Sequence, residues 1–152
     1  MKHGQEHIDH EMTKIEVNLD DIPGEWLGHV MDLLLDAGAN DDFYIPVYMK
    51  KNRPGTMLQV LCQNNQKFEL MDIIFRETTT LGARYYPLSV KRLGRQFKEV
   101  QTPWGTVSVK EGLLQGEIVQ QAPEYSDCKA ISDKHGIPLK LVFQEVWKQL
   151  NK

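Results

Sequence analysis

The chain has 152 residues, of which 41% are hydrophobic and 26% charged, with a formal net charge of −3. These are ordinary proportions for a globular protein, and the length suffices for one well-cored domain or two small lobes. No apolar run is long enough to cross a bilayer, the polar N-terminus does not read as a signal peptide, and Cys62 and Cys128 make neither a disulfide framework nor a CxxC pair; a reducing cytoplasm is the expected location.

Residues 1–12 are polar and aperiodic and read as a flexible tail. Ile15, Val17 and Leu19 then alternate with Glu16, Asn18 and Asp20, as in a half-buried strand. Asp20-Asp21-Ile22-Pro23 opens a helix whose apolar face is Ile22, Trp26, Val30, Leu33, Leu34 and Ala37, and Gly38 stops it. Phe43, Ile45, Val47 and Met49 alternate as a second strand, and Leu58, Val60 and Cys62 as a third. Phe68, Met71, Ile74 and Phe75 mark a second helix, and residues 84–93 are extended again. The order βαββαβ is the ferredoxin-like split-βαβ pattern, expected over residues 13–93.

Residues 94–152 have a different texture. Strands are expected at 97–102 and 106–110 about the turn Pro103-Trp104-Gly105, with a further extended piece at 116–121 before Pro123. Two helices follow, about 124–135 and 138–150, the second with Val142, Val146 and Leu150 on one face. The fold class is therefore α+β: a ferredoxin-like lobe followed by a smaller β-hairpin and two-helix lobe.

The net charge conceals an asymmetry. Residues 1–42 hold eleven acids against Lys2 and Lys14, whereas residues 43–98 hold ten Lys and Arg against Glu69, Asp72 and Glu77. Such a block focuses a positive field on one region, or protects a strand edge from pairing. The charge is too modest, and aromatics too thinly interleaved, for a nucleic-acid interface.

Two segments concentrate the chemistry. Tyr48-Met49-Lys50-Lys51-Asn52-Arg53-Pro54-Gly55 packs three cations into four positions of a turn between strands. Phe75-Arg76-Glu77-Thr78-Thr79-Thr80-Leu81-Gly82 sets an arginine and a glutamate before three hydroxyls, with Arg84 and Tyr85 just beyond. Cations, hydroxyls and the amides of glycine-containing turns together suit an anion, and a polyphosphate above all. Without a ligand, the same residues are a charged hairpin tip and a helix end. Asp20 and Asp21 either cap the first helix or supply carboxylates to a hard cation such as Mg²⁺, which takes one or two carboxylates plus phosphate oxygens. Asp41 and Asp42 form a second acidic pair with a weaker claim. His3, His7 and His10 would align imidazoles for Ni²⁺ or Zn²⁺ only if the tail became helical. No P-loop, GxSxG or HExxH motif is present.

The two segments, with Asn18-Leu19-Asp20-Asp21, Arg84-Tyr85-Tyr86, Thr102-Pro103-Trp104-Gly105, Ala122-Pro123-Glu124-Tyr125 and Asp127-Cys128, resemble the C-terminal domain of the nickel insertion proteins of nickel-pincer cofactor biosynthesis, the LarC family. The likeness runs nearly continuously over residues 17–150. It implies a CTP-dependent nickel insertase (a cyclometallase of the lyase class) that places nickel, its substrate ion, into pyridinium-3,5-bisthiocarboxylic acid mononucleotide for the lactate racemase cofactor. It further implies hydrolysis of CTP to CMP and pyrophosphate with Mg²⁺ or Mn²⁺, and a C-terminal domain that binds CTP and forms oligomers. Carried onto matching positions, Lys50, Lys51, Arg53 and Arg76 would meet the triphosphate, with Arg84 at the same nucleotide site. Thr78, Thr79 and Thr80 would donate to phosphate, and Asp20 or Asp21 would hold the divalent ion. The family's longer protein has an N-terminal domain that this chain does not contain. A non-catalytic nucleotide-sensing or oligomerisation module is the alternative expectation.

Overall fold

The computed structural model describes residues 4–152 and divides into two compact units, Asp9–Val90 and Lys91–Lys152 with the N-terminal segment up to Ile8. No helix among the described residues is long and apolar enough to cross a membrane.

In the first unit the elements are β1 (His7–Leu19), α1 (Gly24–Asp36), β2 (Asp41–Met49), β3 (Arg53–Gln63), α2 (Lys67–Glu77) and β4 (Arg84–Arg92). The sheet order is β2-β3-β1-β4, with β3 antiparallel to both β1 and β2, which is the ferredoxin-like split-βαβ topology. One sheet face carries Ile15, Val17, Leu19, Leu58, Val60 and Cys62, all buried against Val30 and Leu34 of α1 and Leu70, Met71 and Ile74 of α2. The two-residue alternation of the strands and the helical spacing of the helices generate this core directly. Trp26 departs from the pattern. Its spacing assigns it to the buried face of α1, yet it is 53% exposed.

The expected tail of residues 1–12 is corrected in its second half, because His7–Met12 is the beginning of β1. Hydropathy does not reveal this stretch because polar side chains anchor it. Asn64 Nδ2 donates to Glu11 Oε2 at 3.0 Å, Thr13 donates to Asn64 Oδ1, and His10 Nδ1 lies 2.9 Å from Ser89 Oγ. His7 and His10, three apart on a strand, face opposite sides and cannot share an ion through one face. His3 lies outside the described residues.

The second unit is a three-stranded meander, β5 (Gly94–Thr102), β6 (Gly105–Leu114) and β7 (Glu117–Pro123), followed by α3 (Tyr125–His135) and α4 (Leu139–Leu150). The expected hairpin is thus widened by β7, the extended piece before Pro123. Val100, Val107 and Val109 pack on Cys128 and Ile131 of α3 and Val142 and Val146 of α4. Both cysteines are buried free thiols, and burial pushes their pKa values up, so neither is a ready nucleophile.

Glu111 sits in this sheet at 3% exposure, clasped by its two cross-strand neighbours. Gln96 Nε2 donates to Oε2 at 2.7 Å and Gln121 Nε2 to Oε1 at 2.9 Å, and these bonds hold the carboxyl below its usual pKa. Stability from this group is therefore present above the normal carboxylate range and lost as pH falls through the depressed pKa. Glu111→Ala should cost about 1–2 kcal/mol in urea unfolding at pH 7, because two amides lose their acceptor, and the deficit should narrow in acid.

Candidate functional site

β1 and β2 end, and β3 and β4 begin, at one end of the first unit's sheet; α1 starts there and α2 finishes there. The residues assigned to the nucleotide and its divalent ion are consequently all at that end, whereas Asp41 and Asp42, at the start of β2, lie at the other. Lys50, Lys51 and Asn52 form the three-residue connection between Met49 and Arg53, which pair across the hairpin. Lys51 and Asn52 both have left-handed backbone, with φ of 61° and 56°. Asparagine tolerates that region, but lysine ordinarily yields it to glycine. Lys51 therefore holds a backbone conformation that lysine seldom adopts.

Gly55, two residues on, is required by close approach. A Cβ there would lie 2.9 Å from the Leu19 carbonyl oxygen and 2.7 Å from Met49 Sδ. The methionine can swing away, but the Leu19 carbonyl is backbone. Gly55→Ala should therefore destabilise the unit by about 1–3 kcal/mol in thermal or urea unfolding.

The adjacent aspartates tie the two chemical segments together. Asp20 Oδ2 lies 3.5 Å from Arg53 Nη1 on the basic turn, and Asp21 Oδ1 accepts from Thr79 Oγ1 in the loop after α2. Their side chains diverge, as neighbours at a strand end do. Among the described residues, Lys50, Lys51 and Arg76 pair with no carboxylate. A small hollow of about 190 Å³ lies beside Asp20, between Leu19, Ile22 and residues 54–56.

Arg84 is engaged differently. Its Nε donates to Glu16 Oε2 at 2.8 Å and its Nη2 to Asn18 Oδ1 at 3.0 Å, and Tyr86 Oη donates to Glu16 Oε1 at 2.9 Å. Arg84 and Tyr86 hold the Glu16 carboxyl below its usual pKa. This cluster lies on the sheet face away from the helices, since Glu16 and Asn18 alternate with the core residues of β1. Arg84 thus secures β4 to β1, with its charge already matched.

The threonines are also occupied. Thr78 Oγ1 donates to the Ile74 carbonyl at 2.7 Å, ending α2, and Thr80 Oγ1 donates to the Gly82 carbonyl at 2.9 Å. Each of the three hydroxyl protons is used within the fold, so donation to a phosphate requires the hydroxyl to turn about its Cβ–Oγ bond and give up its present acceptor. Thr79, exposed and bonded to a side chain rather than to backbone, rotates with the least disruption.

The sequence reading did not single out a neighbouring pocket of about 350 Å³, lined by Glu25, Trp26, His29, Arg76 and Glu77. His29 Nε2 lies 3.5 Å from Glu77 Oε2, joining α1 to α2 across it. The signal available was Trp26, but helical periodicity assigned it to the core. No three His, Cys, Asp or Glu side chains converge as a metal-holding group among the described residues.

A family model described as nickel insertion protein matches residues 1–143. The chain belongs to the nickel insertion protein family. It is 44% identical over 138 residues to the pyridinium-3,5-bisthiocarboxylic acid mononucleotide nickel insertion protein of Thermotoga sp. strain RQ2, covering 90% of this chain and 34% of that protein. It is also 44% identical over 146 residues to the protein of the same name from Acetivibrio thermocellus, covering 96% of this chain and 36% of the relative. The chain therefore spans about a third of the length of these nickel insertion proteins.

Among solved structures it is similar to the apo C-terminal domain of a LarC cyclometallase involved in synthesis of the NPN cofactor of lactate racemase. The TM-score is 0.90 and the identity 41%, covering 96% of this chain and 100% of that domain. A protein of Methanopyrus kandleri AV19 superposes with a TM-score of 0.66 at 27% identity, over 89% of this chain and 85% of that one. For this nickel insertion family member, the shared region is the C-terminal domain.

Proposed function

We propose that this chain is the nucleotide-binding C-terminal module of a nickel insertase. In this reading it binds CTP with Mg²⁺ or Mn²⁺ while the whole protein inserts nickel into pyridinium-3,5-bisthiocarboxylic acid mononucleotide for the cofactor of lactate racemase. The supporting observation is that Lys50, Lys51, Arg53, Arg76 and Thr79 belong to segments at one end of the first unit's sheet, where Asp20 pairs with Arg53 and Asp21 with Thr79. A triphosphate carries about four negative charges near neutral pH, and three cations without carboxylate partners are there to meet it.

Asp20 and Asp21 suit a cation that arrives on the nucleotide. Two carboxylates are too few for an all-protein cage, but they match the one or two that Mg²⁺ takes beside phosphate oxygens. Arg53 and Thr79 would then be released to the phosphates as the ion takes their acceptors. Hydrolysis of CTP to CMP and pyrophosphate, action in the cytoplasm, assembly into a homo-oligomer and cooperation with the N-terminal domain of the longer relatives belong to the same proposal.

A second reading, nucleotide sensing or oligomerisation without turnover, draws on the chemistry of the site. The first unit's cysteine, Cys62, is buried in the core, and each threonine proton is already committed. Two measurements test these readings. Calorimetry with Mg²⁺ should find CTP bound more tightly than UTP, ATP or GTP; equal binding of all four overturns the CTP assignment. Incubation with CTP and Mn²⁺, followed by chromatography for CMP, separates the catalytic module from the sensing one.

A further inference from the structure

We infer that the hollow between β7 and Trp147 of α4, in the second unit, takes a flat aromatic cation of the pyridinium type. The inference goes beyond the nucleotide reading, which concerns the first unit. It gives the pyridinium ring of the proposed substrate a place of its own. About 200 Å³ of space is lined by Ile118, Val119, Gln120, Gln121 and Trp147. A cavity of about 150 Å³ suffices for benzene, so one six-membered ring fits. β7 is the outer strand of its sheet, bonded to β6 alone. Its register against β6 passes from Gly112–Gln120 to Leu113–Ile118, which leaves Val119 as the extra residue of a bulge. Bulges at a sheet edge re-aim side chains, and this one lies in the wall of the hollow. Trp147 is 38% exposed although its neighbour Val146 is fully buried, so the indole borders the hollow without being consumed by the core.

Charge selects the occupant. None of the five lining residues carries a formal charge, but Gln121 is bonded to one that does. Its Nε2 donates to Glu111 Oε1 at 2.9 Å, and Gln96 donates to the other carboxylate oxygen. These bonds favour the ionised form, so a buried negative charge stands directly behind the Gln121 wall. Lys98 is the cation whose charge also acts on Glu111, yet no ion pair joins them among the described residues. Indole is the aromatic face that attracts cations best, and a buried charge is little screened by salt. Apolar walls, an indole and a carboxylate one amide away suit a ring that is both flat and positive. A neutral ring gains the stacking but not the charge.

The test follows the indole N–H signals of the full chain by NMR. The sequence has three tryptophans, and Trp147→Phe assigns the signal that matters. The probes are nicotinamide methylated on its ring nitrogen, a pyridinium cation, and nicotinamide itself, which is neutral. The cation should shift the Trp147 signal and bind about tenfold more tightly than the neutral ring. Trp147→Ala should weaken the cation about tenfold. Glu111→Gln removes the charge, and Gln121→Lys sets an ammonium against it while leaving Glu111 a partner. In each the two probes should bind within threefold of one another. Nicotinamide mononucleotide, with the same ring on a ribose phosphate, should bind at least as tightly as the methylated ring.

Equal binding of charged and neutral rings by the wild type overturns the inference. So does a shift confined to Trp26 or Trp104, or a tenfold preference retained by either charge variant. Binding of the methylated ring but not of the mononucleotide removes the proposed substrate from this hollow. CTP with Mg²⁺ is titrated separately. If CTP fails to bind while the cation binds at Trp147, the nucleotide reading falls alone, and the converse result overturns only this site.

Discussion

Lys50→Ala combined with Arg53→Ala should raise the dissociation constant for a magnesium nucleoside triphosphate about 100-fold, with the fold preserved. Hydrogen bonds to charged groups contribute about 1.5–3 kcal/mol each, and both side chains are at a solvent-exposed turn, which favours the low end. Two such losses give about 3 kcal/mol, or about two decades in affinity. The fold should tolerate the change because, among the described residues, the only ion pair removed is Arg53 with Asp20, at 3.5 Å and half-exposed on the arginine side. Pairs of that kind contribute about 0–1 kcal/mol. Raising salt from 50 to 500 mM should weaken wild-type binding steeply and the double variant less steeply, since the variant keeps Lys51 and Arg76 but lacks the other two cations. Calorimetry at two salt concentrations reads both effects; a double variant within threefold of wild type removes the basic turn from the site.

Asp42→Asn should stabilise the protein at neutral pH, an uncommon direction for a substitution at a buried position. Asp42 is 7% exposed on β2, and neither carboxylate oxygen has a hydrogen-bond partner among the described residues. It points to the helix side of the sheet, like Tyr44, whose hydroxyl donates to the Leu27 carbonyl of α1 at 2.6 Å. Burial raises the Asp42 pKa to about 6, and the carboxylates of Asp41 and of Asp32 on α1 push the same way. Burial, with the Asp42 charge, also raises Tyr44 to about 12, so the phenol stays neutral and relieves nothing. A folded pKa above the unfolded value means that stability from this group is full below about pH 3.8 and declines until pH passes about 6. At 1.36 kcal/mol per pKa unit the ionised carboxylate costs about 3 kcal/mol at pH 7.5. Asparagine keeps the shape and removes the charge. Urea unfolding should show Asp42→Asn more stable than wild type by about 1–3 kcal/mol at pH 7.5 and the two nearly equal at pH 4. An advantage that persists unchanged at pH 4 would contradict the electrostatic origin.

The relation between sequence and structure differs from element to element. Ile15, Val17 and Leu19, or Val142 and Val146, declare their burial through simple periodicity, because side-chain direction repeats every two residues in a strand and every 3.6 in a helix. Elements organised this way, and the βαββαβ order they compose, were legible at once. The first half of β1 was not, since Glu11, Thr13 and Asn64 anchor it through hydrogen bonds between residues about fifty positions apart. Trp26 was misread for the opposite reason: its spacing is that of a core residue, but the described residues leave it half-exposed in the first turn of α1.

The candidate site divides in the same manner. Residue type alone marked the basic turn, the arginine–threonine segment and the paired aspartates, because cation density and consecutive hydroxyls are visible in one dimension. Charge type could not say which of those groups are already satisfied. Arg84 is matched by Glu16, and Thr78 by the backbone of its own helix, whereas Lys50, Lys51 and Arg76 pair with no carboxylate among the described residues. The sequence by itself determined the family, the fold class and the chemistry on offer. Tertiary structure decided which side chains meet and which remain available, because a hydrogen bond forms or fails over a few tenths of an ångström, a distance that only the folded backbone sets.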